Sequence, residues 1–79
     1  MIKKLGEIVD FEIFEEEAEE NEYKSYWIRK KNYGFMLYII GIKKNEDIDI
    51  FSYVLEFDMI EIYNDELEKL ETDNNYSLT

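Results

Sequence analysis

The sequence predicts an α+β domain: a small antiparallel β-meander of about four strands with one C-terminal amphipathic helix packed on one face. Three observations predict it. Short runs with the two-residue alternation of strands fill the chain as far as Phe57. Two apolar runs, Tyr23–Ile28 and Phe35–Ile42, flank Lys31-Asn32-Tyr33-Gly34, the layout of a β-hairpin. Beyond them Ile60, Tyr63, Leu67 and Leu70 are spaced 3, 4 and 3 residues apart, a helical seam.

Residues 1–4 read as a loose start. In the first strand, near 7–14, Val9, Phe11 and Ile13 alternate with Asp10 and Glu12. The run EEEAEENE, residues 15–22, has Ala18 as its only apolar residue, and its crowded carboxylates oppose a helix. It reads as a solvated loop. The hairpin strands fall near 23–31 and 34–43. Asn32 and Tyr33 suit a type I turn with Gly34 in the left-handed position. The second hairpin strand is apolar on both faces, which predicts a central place in the sheet. Gly41 within it points to a bulge or a close approach. Trp27, the only tryptophan, is expected to anchor the sheet.

After a turn at Lys44–Asp47, the set Phe51, Tyr53, Leu55, Phe57 alternates with polar or smaller residues and predicts a fourth strand near 48–57. The helix is expected near 59–71, opened by a capping box of Asp58 with Glu61; Asn64 is the competing N-cap. Residues 72–79 have little to bury and read as a frayed tail. The connections are short, so sequential antiparallel pairing is the simplest topology, and residues 1–79 read as a single small acidic domain.

With 79 residues, 46% of them hydrophobic and thirteen aromatic, the chain is apolar enough to fold but has only a small core. Its net charge is −11, which disfavours direct binding of nucleic acid or anionic membrane and suits a basic partner. The absence of cysteine excludes a disulfide framework and leans towards the cytoplasm. The first ten residues lack the uninterrupted apolar stretch of a signal peptide. Acidic residues break every apolar run well short of the ~18 residues of a membrane span. The excess of Lys, Ile, Asn and Tyr suits an AT-rich bacterial or mobile-element genome.

There is no histidine to act as a base and no cysteine to act as a nucleophile. Ser25, Ser52 and Ser77 have no activating context, and paired carboxylates would need a deep cleft that so small a domain hardly provides. Asp47-Ile48-Asp49 is too short for a calcium loop, and three scattered glycines cannot cradle a phosphate. The sequence therefore predicts no enzyme, no cofactor and no metal site.

Charge partition is the remaining signal. Nine carboxylates fall within residues 7–22 and eleven within 46–73, while the span 23–44 holds six of the nine basic residues and no acid. The bland reading of those cations is that they neutralise nearby carboxylates. So much exposed negative charge can resemble a phosphate backbone, which proteins recognise chiefly through Lys and Arg. Two functional classes follow as expectations. One is an acidic decoy that occupies the channel of a nuclease or other basic nucleic-acid-binding enzyme, in the manner of the anti-CRISPR and anti-restriction proteins of phages. The other is an immunity protein or antitoxin capping a basic toxin; a small acidic adaptor subunit is the blander alternative. The candidate contacts are Glu15, Glu16, Glu17, Glu19, Glu20 and Glu22, followed by Asp65, Glu66 and Glu68 on the outer helix face. A homodimer is also compatible with the sequence.

Overall fold

The structure, a computed structural model, describes residues 1–73. Four strands, β1 (Ile2–Ile8), β2 (Phe11–Glu17), β3 (Tyr23–Lys30) and β4 (Met36–Lys43), precede two helices, α1 (Ile50–Glu56) and α2 (Met59–Asp73). The strands form one antiparallel sheet in the order β1-β2-β3-β4, and the helices cover one of its faces. The α+β class and the meander with a packed C-terminal helix hold.

Register fixes which side chains meet the helices. Ile13 stands opposite Ile28, Glu15 opposite Tyr26, and Phe11 opposite Lys30. On this face Phe11, Ile13, Tyr26 and Ile28 are buried against Ile50 and Val54 of α1 and Met59, Tyr63 and Leu67 of α2. Ile50 and Val54 lie four apart, as do Met59, Tyr63 and Leu67, so each helix turns one stripe to the sheet. Tyr63 is wholly buried, packs edge-on to Phe11 at 5.3 Å, lies 4.9 Å from Phe35, and donates its hydroxyl to the Phe35 carbonyl at 2.5 Å. That hydrogen bond satisfies the one polar atom the ring carries into the core.

Several elements differ from expectation. The strand expected near 7–14 is a hairpin: Ile8 pairs with Phe11, and Val9 turns the chain with φ 53°. Residues 2–4, expected to be loose, belong to β1, where Lys3 and Lys4 face acidic neighbours on β2. A β-branched residue in the left-handed region carries no turn signal, which is why the alternation conceals the break. Glu15, Glu16 and Glu17 belong to β2, so only residues 18–22 form the acidic loop.

The segment expected as a strand near 48–57 is α1. Apolar residues fill both periods there, and the cap decides. Asp49 accepts from the Ser52 amide at 3.2 Å and from its hydroxyl at 2.7 Å, closing the first turn. A second helix thus precedes the one expected. Asp58 links the two at φ 52°, and its carbonyl accepts from the Ile62 amide, so α2 starts at Met59 as expected. The expected capping box is not among the hydrogen bonds of the described residues; the Asp58 carboxylate instead stands near that of Glu61 and raises it.

In the central hairpin, Asn32 takes the left-handed conformation at φ 69°, and no glycine has positive φ, against the expectation for Gly34. β4 is an edge strand, not a central one. Its two apolar faces arise because Ile39 is an extra residue between the pairs Tyr26–Ile40 and Trp27–Tyr38. The close approach expected at Gly41 is made by Tyr38, whose hydroxyl lies where a Cβ would come within 2.5 Å. Thr72 and Asp73 continue α2, and the rest of the expected tail lies outside the described residues.

Candidate partner-binding surfaces

The face of the sheet away from the helices is built from the residues that alternate with the core. Phe14, Trp27 and Tyr38 stand side by side across β2, β3 and β4. Trp27 meets Tyr38 edge-on at 5.3 Å and donates its indole N–H to Glu16 at 3.2 Å. The Arg29 guanidinium lies 4.9 Å over the Phe14 ring, a cation–π contact. Trp27 is therefore half-buried on the open face and not in the core between sheet and helices.

Beside this stripe runs a chain of alternating charges. Lys31 reaches Glu7 at 2.7 Å, Glu7 reaches Lys4 at 2.5 Å, Lys4 reaches Glu12 at 3.1 Å, and Glu12 reaches Arg29 at 2.9 Å. The Lys31 and Lys4 ammonium groups hold the Glu7 carboxyl down at about 2. Arg29, with Lys4 second, likewise holds Glu12 below the ordinary carboxylate range. Exposed pairs of this kind contribute little stability one by one. Their consequence here is electrostatic. Three cations against two carboxylates leave the network slightly positive, so the whole negative excess lies elsewhere.

It lies largely on the helical layer. Residues 46–73 carry eleven carboxylates and a single cation, Lys69. Along the outer face of α2, Glu61, Asp65 and Glu68 follow the helical repeat opposite the buried Met59, Tyr63 and Leu67, with Asp58 just before them. They crowd one another: the carboxylate of Asp58, and then that of Asp65, push Glu61 above its ordinary range. The row places one carboxylate per roughly 5 Å of helix axis, against one phosphate per about 3.4 Å along one strand of duplex DNA. Leu55 and Phe57, 63% and 51% exposed, leave apolar side chains on the same layer among Glu56 and Asp58.

The nine residues expected from sequence do not form one surface. Asp65 and Glu68 stand in the α2 row, while Glu66 is turned to the flank and paired with Lys69 at 3.4 Å. Glu15 lies on the core side, bridged to Lys3 at 3.7 Å, its side chain only 12% exposed. Burial, helped by that carboxylate, pushes the Tyr26 phenol up to about 12. Glu16 holds Trp27, and the Glu17 backbone is tied to Met1 through both its amide and its carbonyl. Glu19, Glu20 and Glu22 are exposed in the loop, where the Lys44 ammonium reaches the Ala18 carbonyl. Tyr63 instead marks the opposite, turn-proximal end of the sheet. Sequence reading missed Asp58 and Glu61; the helical repeat running back from Asp65 is the signal that finds them.

Among the described residues no group of carboxylates converges so as to hold a metal ion, and no helix is long and apolar enough to cross a membrane. No family model matches the chain, and neither a curated protein nor a solved structure matches it significantly.

Proposed function

We propose that this protein is an acidic inhibitor acting in the cytoplasm of a bacterial host, encoded by a phage or another mobile element. It binds a basic nucleic-acid-binding enzyme and denies it its nucleic acid. The single observation that carries this reading is the two-sided distribution of charge. Residues 46–73, the helices and the turn that leads into them, bear eleven carboxylates to one cation, while the open sheet face bears a nearly balanced network of three cations and two carboxylates. The row Asp58, Glu61, Asp65 and Glu68 stands in for successive phosphates, read by lysines and arginines lining the enzyme's channel. Leu55 and Phe57 supply apolar anchors beside it, the kind of side chain that carries affinity when desolvated. The loop carboxylates Glu19, Glu20 and Glu22 add attraction at range, which salt screens beyond about 8 Å.

Affinity capture from the native host, with identification of the bound protein, tests the class. The decoy reading expects a basic protein that binds nucleic acid when alone and no longer does so when captured. A captured toxin whose target is not nucleic acid would give preference to the immunity-protein reading. A partner with no basic surface would reject both.

A further inference from the structure

We infer that the open face of the sheet is a self-association surface whose occupant is a second copy of this chain, packed sheet against sheet. The inference stands apart from the decoy reading and uses a different face. The stripe Phe14–Trp27–Tyr38, with Met36 and Arg29 paired across β3 and β4, consists of residue types enriched at protein interfaces. Tyr38 is 49% exposed and Ile2, at the β1 margin, 46% exposed. The helices cover the other face, so nothing among the described residues covers this one.

Charge selects the occupant. Two copies of a chain of net charge −11 repel wherever their carboxylate excess meets. The helical layer is barred to self-association for that reason, since its exposed Leu55 and Phe57 sit among Glu56 and Asp58. On the open face the network of Lys31, Glu7, Lys4, Glu12 and Arg29 is compensated to within one positive charge. A basic partner gains nothing there that the acidic layer does not offer more strongly. A second copy meets there an excess of one positive charge, a far weaker repulsion than between two helical layers.

Area sets the strength. Strands of seven or eight residues, four of them about 4.8 Å apart, give a face of roughly 19 by 25 Å, so two copies bury about 1,000 Å² together. That is the lower limit for a specific interface, and the dimer is a weak, reversible one. Aligned packing of two sheets turns the helical layers outwards, so both acidic surfaces stay exposed.

Sedimentation equilibrium of the full chain tests this. The expected result is a monomer–dimer equilibrium in the range of about 10 µM to 1 mM. It should tighten as NaCl rises from about 0.05 to 0.5 M, because salt screens the repulsion between like-charged copies. Tyr38→Glu places two carboxylates in the two-fold interface and leaves the core untouched, so it should weaken the dimer about tenfold or more. Leu55→Glu should leave the dimer as it was. A monomer throughout that range would overturn the inference, as would a dimer that Tyr38→Glu leaves intact or that Leu55→Glu dissolves. Protection of the Trp27 indole from quencher only on addition of a basic protein would assign the face to that partner instead, and would also overturn it. Since decoy binding must weaken with salt and self-association must strengthen, the two readings fail separately.

Discussion

Tyr63 is the side chain at which helix, sheet and turn meet, and its neighbours make its contribution measurable. Tyr63→Ala removes a wholly buried ring and should cost about 3–5 kcal/mol, comparable to the entire stability of so small a domain. Tyr63→Phe keeps the ring and loses only the bond to the Phe35 carbonyl, so about 1 kcal/mol is expected. Urea denaturation of the two variants separates packing from hydrogen bonding. Trp27→Ala, on the open face, should cost about 1–2 kcal/mol and leave a folded protein, contrary to the core anchor its sequence context suggested. Val9 offers the opposite sign. It is 81% exposed and sits at φ 53°, where Asn is at ease and a β-branched residue is strained. Val9→Asn should therefore raise stability by about 1 kcal/mol in a thermal melt. Val9 also shows where the sequence is opaque: a turn made by a residue unsuited to turns leaves no trace in the pattern.

At the scale of elements, the central hairpin and α2 were legible within two residues, whereas the first strand was not, since its alternation runs straight through the Val9 turn. The central hairpin declared itself through its turn, and α2 through Ile60, Tyr63 and Leu67. Residues 50–57 were illegible in kind, because an almost unbroken apolar run satisfies both the strand and the helix period. What separates them is local chemistry, the Asp49–Ser52 cap, together with the space that Gly6 leaves for Phe51. A Cβ at Gly6 would stand 2.8 Å from the Phe51 ring. Gly6→Ala should thus push α1 off β1 and cost about 1–3 kcal/mol, while Asp49→Ala should cost about 1 kcal/mol through the lost cap. Both are read from helix-specific hydrogen exchange and from melts. For the candidate site, sequence gave the residue type and half of the row; Glu15 and Glu16 fell out of it once β2 claimed them.

The whole molecule is governed by the imbalance of twenty acidic residues against nine basic ones, and its pH dependence has two limbs. Glu61 is raised by its acidic neighbours, so the folded state takes up that proton more readily than the unfolded chain, and stability rises as pH falls from neutral towards the carboxylate range. Glu7 and Glu12 are lowered by their cations. Their contribution is complete above the ordinary value of 4.5 and, for Glu7, is lost as pH falls towards about 2. A melting profile should therefore peak above pH 4.5, and Glu7→Gln should flatten its acid limb. The central claim, that the helical layer competes as a phosphate mimic, is tested most directly by titrating the protein into a preformed complex of its captured enzyme with DNA. The measurement is made at two salt concentrations, with the wild type and with a Glu61→Gln, Asp65→Asn, Glu68→Gln variant. The account predicts that wild type displaces the DNA, less so at high salt, and that the variant fails while remaining folded. A stable ternary complex, or displacement unchanged in the variant and insensitive to salt, would contradict it.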